Sequence, residues 1–547
     1  MKEIQIYDST LRDGAQAEEV NLTAEDKIKV AVKLDELGVS YIEGGWPGSN
    51  PTDKRFFEEI RNYDIRRARI AAFGSTHNPK GSAQNDKNLL ALVESGAPVI
   101  TIFGKSWDIH VTEALRATLT RNLEIIRDSL AFLKPECEEL FYDAEHFFDG
   151  FKANPDYALS TLACALEGGA DILVLCDTNG GALPHEIAEI MNAVTSRFPE
   201  AKLGIHTHND SGLAVANSIE AVRQGAIQVQ GAMNGYGERC GNANLCAIIP
   251  TLELKMGCRC LPEGNLPMLT QAANFVCETA NQTPFARQPY VGDSAFAHKG
   301  GVHVSAVARN PLTYEHIRPE LVGNKQRILL SDLSGQSNIL FKAREYGFDL
   351  DKNDPFVLEL LTTIKERESR GYEYSAAEAS YELLVNRALG RARAYFTPLR
   401  YRILDGKAFN GDDDLVEATV MLKVGGTVRH TAASGRGPVN AMDKALREAL
   451  RSFYPSIVEM RLLDFKVRVL SATRSEESGT ASNVRVLVES GDATRRWVTT
   501  GVSHNVIEAS WQALEDSINY KLFIDDKVKL TRALRDECDA LHERTGR

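Results

Sequence analysis

From Ile4 to about Gly257, short apolar runs alternate with stretches whose apolar residues recur at helical spacing. Eight runs read as strands: Ile4 to Ser9, Tyr41 to Gly44, Ile70 to Phe73, Val99 to Phe103, Leu140 to Asp143, Ile172 to Cys176, Leu203 to His206 and Ile227 to Gly231. Most are short and apolar, as parallel strands covered on both faces should be. Eight such βα units in about 250 residues predict an α/β fold, a (β/α)8 TIM barrel, with a doubly wound open sheet as the alternative. The polar clusters favour the barrel. Arg12-Asp13, Glu43, Glu145, Asp177-Thr178, His206-Thr207-His208 and the loop from Gly235 to Asn242 all fall at the C-terminal end of a strand or just after it. In a closed barrel those ends share one rim, so residues far apart in sequence can meet.

The pattern changes after Leu261 to Pro267, a loop with two prolines and a glycine. The chain then reads as mainly helical to about Tyr395, interrupted by two polar, glycine-rich segments, Ala297 to His303 and Leu333 to Asn338. From about Phe396 to Leu522 it carries an internal repeat. Val416 to Lys423 and Thr427 to Ala433 lead through Gly435 to Asn440 into a helix with Ala445 and Leu446, and Val484 to Ser490 and Arg495 to Thr500 lead through Gly501 to Asn505 into a helix with Ala513 and Leu514. Two copies of strand, strand, Gly turn and helix predict a pseudo-symmetric α+β domain of ββα type, suited to binding because it has no clustered acid, base or nucleophile. The tail from Asp525 to Arg547 reads as a charged, solvated helix end. The expected division is a catalytic barrel over 1–265, helical linker subdomains over 266–395 and a regulatory domain over 396–530.

Composition narrows the functional classes. A chain of 547 residues exceeds one ordinary core, and 43% hydrophobic with 25% charged residues is ordinary for a globular protein. A formal net charge of -12 argues against nucleic acid or an anionic membrane as the main partner. No apolar run approaches the length of a membrane-spanning helix, and Met1-Lys2-Glu3 leads straight into a strand, so the expected location is cytoplasmic. The 9 cysteines are scattered without a CxxC pair and read as reduced core residues.

The rim clusters carry the chemistry. His206 and His208, at i and i+2 on one strand, present two imidazoles to the same side. With Asp13 they form a nitrogen-nitrogen-oxygen set that suits a divalent metal with positions left for substrate oxygens; Mn2+, Mg2+ and Zn2+ all stay open. Such a metal can chelate an α-keto acid. Arg12 would then lie beside the developing alkoxide, with Glu43 placed to hold the guanidinium and Thr178 to bond the substrate carboxylate. Phe73 and Phe103 close the third and fourth strands, where bulky rings would limit the keto acid's tail.

Three motifs together, Asp8-Ser9-Thr10-Leu11-Arg12-Asp13-Gly14-Ala15-Gln16, His206-Thr207-His208-Asn209-Asp210 and Gly235-x-Gly237-Glu238-Arg239-x-Gly241-Asn242, resemble the isopropylmalate, homocitrate and citramalate synthases of the DRE-TIM metallolyase class. The resemblance covers nearly the whole chain. It implies a metal-dependent Claisen condensation of acetyl-CoA with an α-keto acid, followed by thioester hydrolysis. It also implies Arg12 as alkoxide stabiliser, Asp13, His206 and His208 as metal ligands with Asn242 as a fourth, and Glu145 as a carboxylate linked to acetyl-CoA activation. His303 and Tyr314 match linker residues that complete the site, in that family sometimes from a partner subunit, so a homodimer is expected.

Glu43-Gly44-Gly45-Trp46-Pro47 and Asp143 to Gly150 resemble the citramalate branch, which implies pyruvate as keto acid and isoleucine as effector of the C-terminal domain. The alternatives are 2-isopropylmalate synthase acting on 2-oxoisovalerate, then homocitrate synthase. A reading of another class is a non-catalytic metabolite sensor whose barrel binds metal only for structure.

Overall fold

The computed structural model describes residues 2–328, 355–374, 377–406, 416–470 and 482–545. They form two compact units, Met1–Ala297 with Glu315–Arg327, and His298–Tyr314 with Ile328–Arg547. The predicted Leu333 to Asn338 segment lies outside the described residues.

In the first unit the eight predicted runs become β1 (Gln5–Asp8), β2 (Tyr41–Gly45), β3 (Arg69–Ser75), β4 (Val99–Lys105), β5 (Glu139–Glu145), β6 (Ile172–Asp177), β7 (Leu203–Thr207) and β8 (Gln228–Gly231). They pair in sequence order, and β8 returns to β1 in parallel register, Gln5 opposite Gln228 and Asp8 opposite Gly231, which closes the barrel and removes the open-sheet alternative. Alternation along the strands sorts the core into two layers. Tyr7, Tyr41, Val99, Phe141, Val174 and Cys176 fill the interior, while Ile6, Ile42, Ile100, Leu140 and Leu173 face the surrounding helices. β4 and β5 run two residues further than their apolar runs, because Phe103 to Lys105 stays in register with Asp143 to Glu145. Lys105 and Glu145 are therefore strand residues, held by the ladder.

In the second unit the repeat gains one strand per copy. β9 (Thr397–Asp405), β10 (Val416–Val424) and β11 (Thr427–Gly435) form one antiparallel sheet, and β12 (Arg461–Val469), β13 (Val484–Gly491) and β14 (Arg496–Ser503) form the other. The alternating exposure of β10 buries Val416, Ala418, Val420, Leu422 and Val424 against Ala441, Ala445 and Leu446 of helix Pro438–Leu450. Helix Val506–Thr545 packs on the second sheet in the same way through Ala509, Ala513 and Leu514. Gly435 and Gly501 occupy equivalent corners: a side chain there would meet the backbone of Ala441 or of Ala509 where the helix begins. Close approach of backbones accounts for both glycines.

The loop after β2 is held by a buried charge pair. Helix Ala24–Leu37 starts at Thr23, whose hydroxyl caps Asp26 N in a reciprocal capping box. Lys27, one turn in, pairs with Asp53 of helix Pro51–Ile60; the two residues are 4% and 5% exposed. Asp53 also accepts from Trp46 N at 2.8 Å, so the pair sets where Trp46 enters the rim. Removing one partner of a buried pair leaves an uncompensated charge and costs about 3–5 kcal/mol. Lys27→Met should lower the barrel's stability in urea unfolding by that order, and unchanged stability would show that the pair is dispensable.

Candidate active site

Asp8 shapes the loop that follows β1. Its carboxylate accepts from Thr10 N at 2.9 Å and from the Thr10 hydroxyl at 3.0 Å, and that hydroxyl accepts in turn from Met233 N at 2.8 Å. Burial pushes the Asp8 carboxyl up to about 7, against the pull of its bonds to Thr10. The backbone then folds back, Arg12 N and Gly14 N both donating to Ser9 O at 3.1 and 3.0 Å. This turn delivers Arg12 and Asp13 to the rim.

Arg12 uses both sides of its fork. Nε donates to Glu43 Oε2 at 3.0 Å and Nη2 to Glu43 Oε1 at 3.3 Å, Nη1 lies 3.4 Å from Asp13 Oδ2, and the guanidinium carbon sits 3.7 Å from the centre of the Phe73 ring. Glu43 is fully buried and also accepts from the Tyr7 hydroxyl at 3.2 Å. Burial raises the Glu43 carboxyl above its ordinary range, with Arg12 opposing. Burial works the same way on Asp13, but there Arg12, His206 and His208 outweigh it and hold the carboxyl well below the usual range.

The two histidines converge on Asp13. His206 Nε2 and His208 Nε2 are 3.3 Å apart and lie 3.3 and 3.9 Å from Asp13 Oδ2, so one ligand atom from each residue can reach a single ion. His206 Nδ1 lies 2.9 Å from Gln230 Oε1, an acceptor that fixes the ring and turns Nε2 toward Asp13; burial pulls the imidazole down, but its hydrogen bond to Asp13 outweighs that and raises it above its ordinary range. Gln230 itself donates to Asp143 Oδ1 at 3.1 Å. Burial pushes Asp143 up to about 7, with His206 opposing. Burial, then the neighbouring His206, pushes His208 down to about 3, so its imidazole is neutral. An isolated bridge sets His208 beside Asn242, whose Nδ2 donates to Tyr236 O at 2.9 Å while its buried Oδ1 has no partner. Two imidazole nitrogens, a carboxylate and an orphaned amide oxygen fit a divalent cation.

Arg12, Asp13, Asp143, His206 and His208 line a cavity of about 200 Å³. Phe73 and Phe103 stack with centroids 5.5 Å apart, and Trp46 stands edge-on to both at 5.9 and 5.7 Å, forming an apolar wall. Glu145, Thr178 and Arg239 are polar residues of the same lining. The Thr178 hydroxyl accepts from His146 N at 2.9 Å, and Arg239 ties the loops after β6, β7 and β8 by donating to Thr178 O at 2.8 Å and to both Asp210 oxygens at 2.8 and 2.9 Å. His303 and Tyr314 belong to the second unit, where their exposed rings stack on each other at 4.1 Å.

Gln230 and Lys105, which pairs with Glu145, lie outside the motifs that mark the site in the sequence. A signal for Gln230 was present: Gln228 and Gln230 are polar residues at alternate positions of a buried strand, so both point into the barrel.

Residues 3–276 match the HMGL-like family, residues 290–371 the homocitrate synthase post-HMGL domain-like family and residues 375–522 the LeuA allosteric (dimerisation) domain. The chain is 56% identical over 529 residues to an (R)-citramalate synthase of Geobacter sulfurreducens, covering 97% of this chain and 99% of that one. It is 53% identical over 526 residues to an (R)-citramalate synthase of Aquifex aeolicus, covering 96% and 99%. The chain belongs to the (R)-citramalate synthase family. A 2-isopropylmalate synthase of Methanocaldococcus jannaschii, aligned over 94% of both chains, is 29% identical. Members of the citramalate synthase family are acyltransferases, and the LeuA domain makes a homodimer the expected assembly. Among the described residues no helix is long and apolar enough to cross a membrane.

A partner that holds a metal-binding imidazole in place changes metal affinity by about 10–100-fold. Gln230→Leu, which takes the partner from His206 Nδ1, should weaken Mn2+ binding by that factor in calorimetry of the full chain. An unchanged dissociation constant would mean that Gln230 does not orient the ring.

Proposed function

We propose that the chain condenses acetyl-CoA with pyruvate and hydrolyses the resulting thioester, giving (R)-citramalate and CoA. The observation that carries this reading is the apolar wall of Trp46, Phe73 and Phe103 directly against Arg12 in a cavity of about 200 Å³. That space is small against the roughly 300–1,000 Å³ of ordinary ligand pockets. It suits a keto acid whose tail is one methyl. Identity near one half or above with two (R)-citramalate synthases over nearly their full length supports the same choice.

Asp13, His206 and His208 would hold the metal, with Asn242 Oδ1 as a fourth donor; Mn2+, Mg2+ and Zn2+ all suit that set. Bound there, a divalent cation supplies Lewis acidity toward the adjacent keto and carboxylate oxygens of the substrate. Arg12 stabilises the negative charge that develops on the keto oxygen, its fork already oriented by Glu43, so little reorganisation accompanies reaction. Thr178 bonds the substrate carboxylate. Glu145 accepts the methyl proton of acetyl-CoA, and the stacked His303 and Tyr314 serve the later proton transfers and hydrolysis. The paired histidines, one hydrogen-bonded to Gln230 and the other neutral, support a ligand role over a role as bases.

The same reading assigns 1–265 to the catalytic barrel, 266–395 to the linker and 396–530 to a domain that binds isoleucine as feedback inhibitor. Its support is the duplicated sheet-and-helix unit and the LeuA match. The deciding experiment is CoA release from acetyl-CoA with Mn2+ or Mg2+, comparing pyruvate, 2-oxoisovalerate and 2-oxoglutarate at matched concentration, with and without isoleucine. Preference for pyruvate with inhibition by isoleucine is expected. Preference for 2-oxoisovalerate would move the chain to 2-isopropylmalate synthesis, and no release with any keto acid would leave the sensor reading.

A further inference from the structure

Lys105 and Glu145 end two neighbouring parallel strands and stand opposite each other in the β4–β5 register. The ladder therefore makes their pairing a property of the fold. The Lys105 ammonium bonds Glu145 Oε2, the side chains being 19% and 22% exposed, open enough to meet a substrate and sheltered enough for the pair to persist. Both strand ends are pinned from behind: Ser106 N donates to Glu145 O at 3.1 Å, and Asn122 Nδ2 donates to Lys105 O at 2.8 Å. The ammonium also lies 5.2 Å from the centre of the Phe103 ring, so it rests against the wall assigned to the keto acid. His110, within electrostatic reach of Glu145, is driven toward its neutral form by burial and then by His146 and Lys105.

We propose that Lys105 is the positioning residue of the condensation: it anchors Glu145 by Oε2 and so presents Oε1 to the methyl group of acetyl-CoA. This rests on the reading of the site as a synthase. In the step it serves, the methyl C–H bond breaks, its proton goes to Glu145 Oε1, and its electron pair passes through the thioester enolate into the new bond to the keto carbon. The keto oxygen takes the charge. Lys105 has three N–H donors and spends one on Oε2, beside a Glu145 that lines the cavity. Without the anchor, Glu145 is an unrestrained side chain at the rim and samples rotamers that point away from the methyl carbon.

The test uses the full-length, Mn2+-loaded native protein and two variants, Lys105→Met and Lys105→Arg. Lys105→Met should lose about 10²-fold in kcat, the range of a misplaced acid-base group. Its KM for pyruvate and its Mn2+ affinity should stay near native values, and trideuterated acetyl-CoA should give a large primary isotope effect on kcat because proton abstraction has become the slow step. Lys105→Arg, with a cation at the same register, should recover most of the turnover. A Lys105→Met variant that turns over near the native rate, or that slows with no isotope effect, would overturn the assignment. If Lys105→Met is unfolded by circular dichroism, Lys105→Arg decides, since an anchored carboxylate predicts native-like kcat and a lysine-specific role predicts its loss. Absence of keto-acid-dependent CoA release by the native chain is a different result, and it would remove the synthase reading itself.

Discussion

A guanidinium enclosed by two carboxylates and an aromatic face sets the electrostatics of the whole rim. Arg12 bonds Glu43 with two nitrogens, touches Asp13 with a third and stacks on Phe73. One cation and two carboxylates leave one negative charge in a site where desolvation of every ion is costly. The surplus lies on the side of Asp13, between two imidazole nitrogens. A divalent cation answers that surplus, and the same charges that would retain it hold Arg12 still. On the proposed reading, metal site and alkoxide site are one electrostatic arrangement.

The fold keeps that arrangement rigid through hydrogen bonds and ion pairs around the rim. Asp8 and Thr10 shape the turn bearing Arg12, Gln230 and Asp143 orient His206, and the buried Lys27–Asp53 pair sets the entry of Trp46. Arg239 ties three neighbouring βα loops together. Apart from the Lys27–Asp53 pair, which joins two helices, these contacts come from the strands and the loops that follow them, where barrel geometry tolerates sequence change without loss of the core. The second unit is built on a different logic. There a sheet-and-helix unit is used twice, and the matching glycines Gly435 and Gly501 mark the same tight corner in each copy.

Much of this was legible in the sequence because the period of a parallel strand and the position of its C-terminal end can both be read from apolar runs. Asp13, His206 and His208 could be grouped from sequence because a barrel brings all strand ends to one rim, and the structure places them around one point. Strand ends were harder. Phe103 and Asp143 closed their apolar runs, yet the ladder continues to Lys105 and Glu145, since register is enforced by the neighbouring strand and leaves no mark on hydropathy. The added strands β9 and β12 escaped for a related reason: their residues are largely exposed, so alternation is faint. Trp46 stood in a quoted motif, but its contact with both phenylalanines depends on the loop that Asp53 fixes.

The central claim is that the oriented fork of Arg12, and not its charge alone, carries the transition state. The most direct measurement is steady-state kinetics of Arg12→Lys with pyruvate, alongside Mn2+ binding to the same protein. Lysine keeps the charge and loses the planar bidentate geometry. The account predicts a fall in kcat of about 10²–10³-fold with metal affinity little changed. Turnover close to that of the native chain would contradict it.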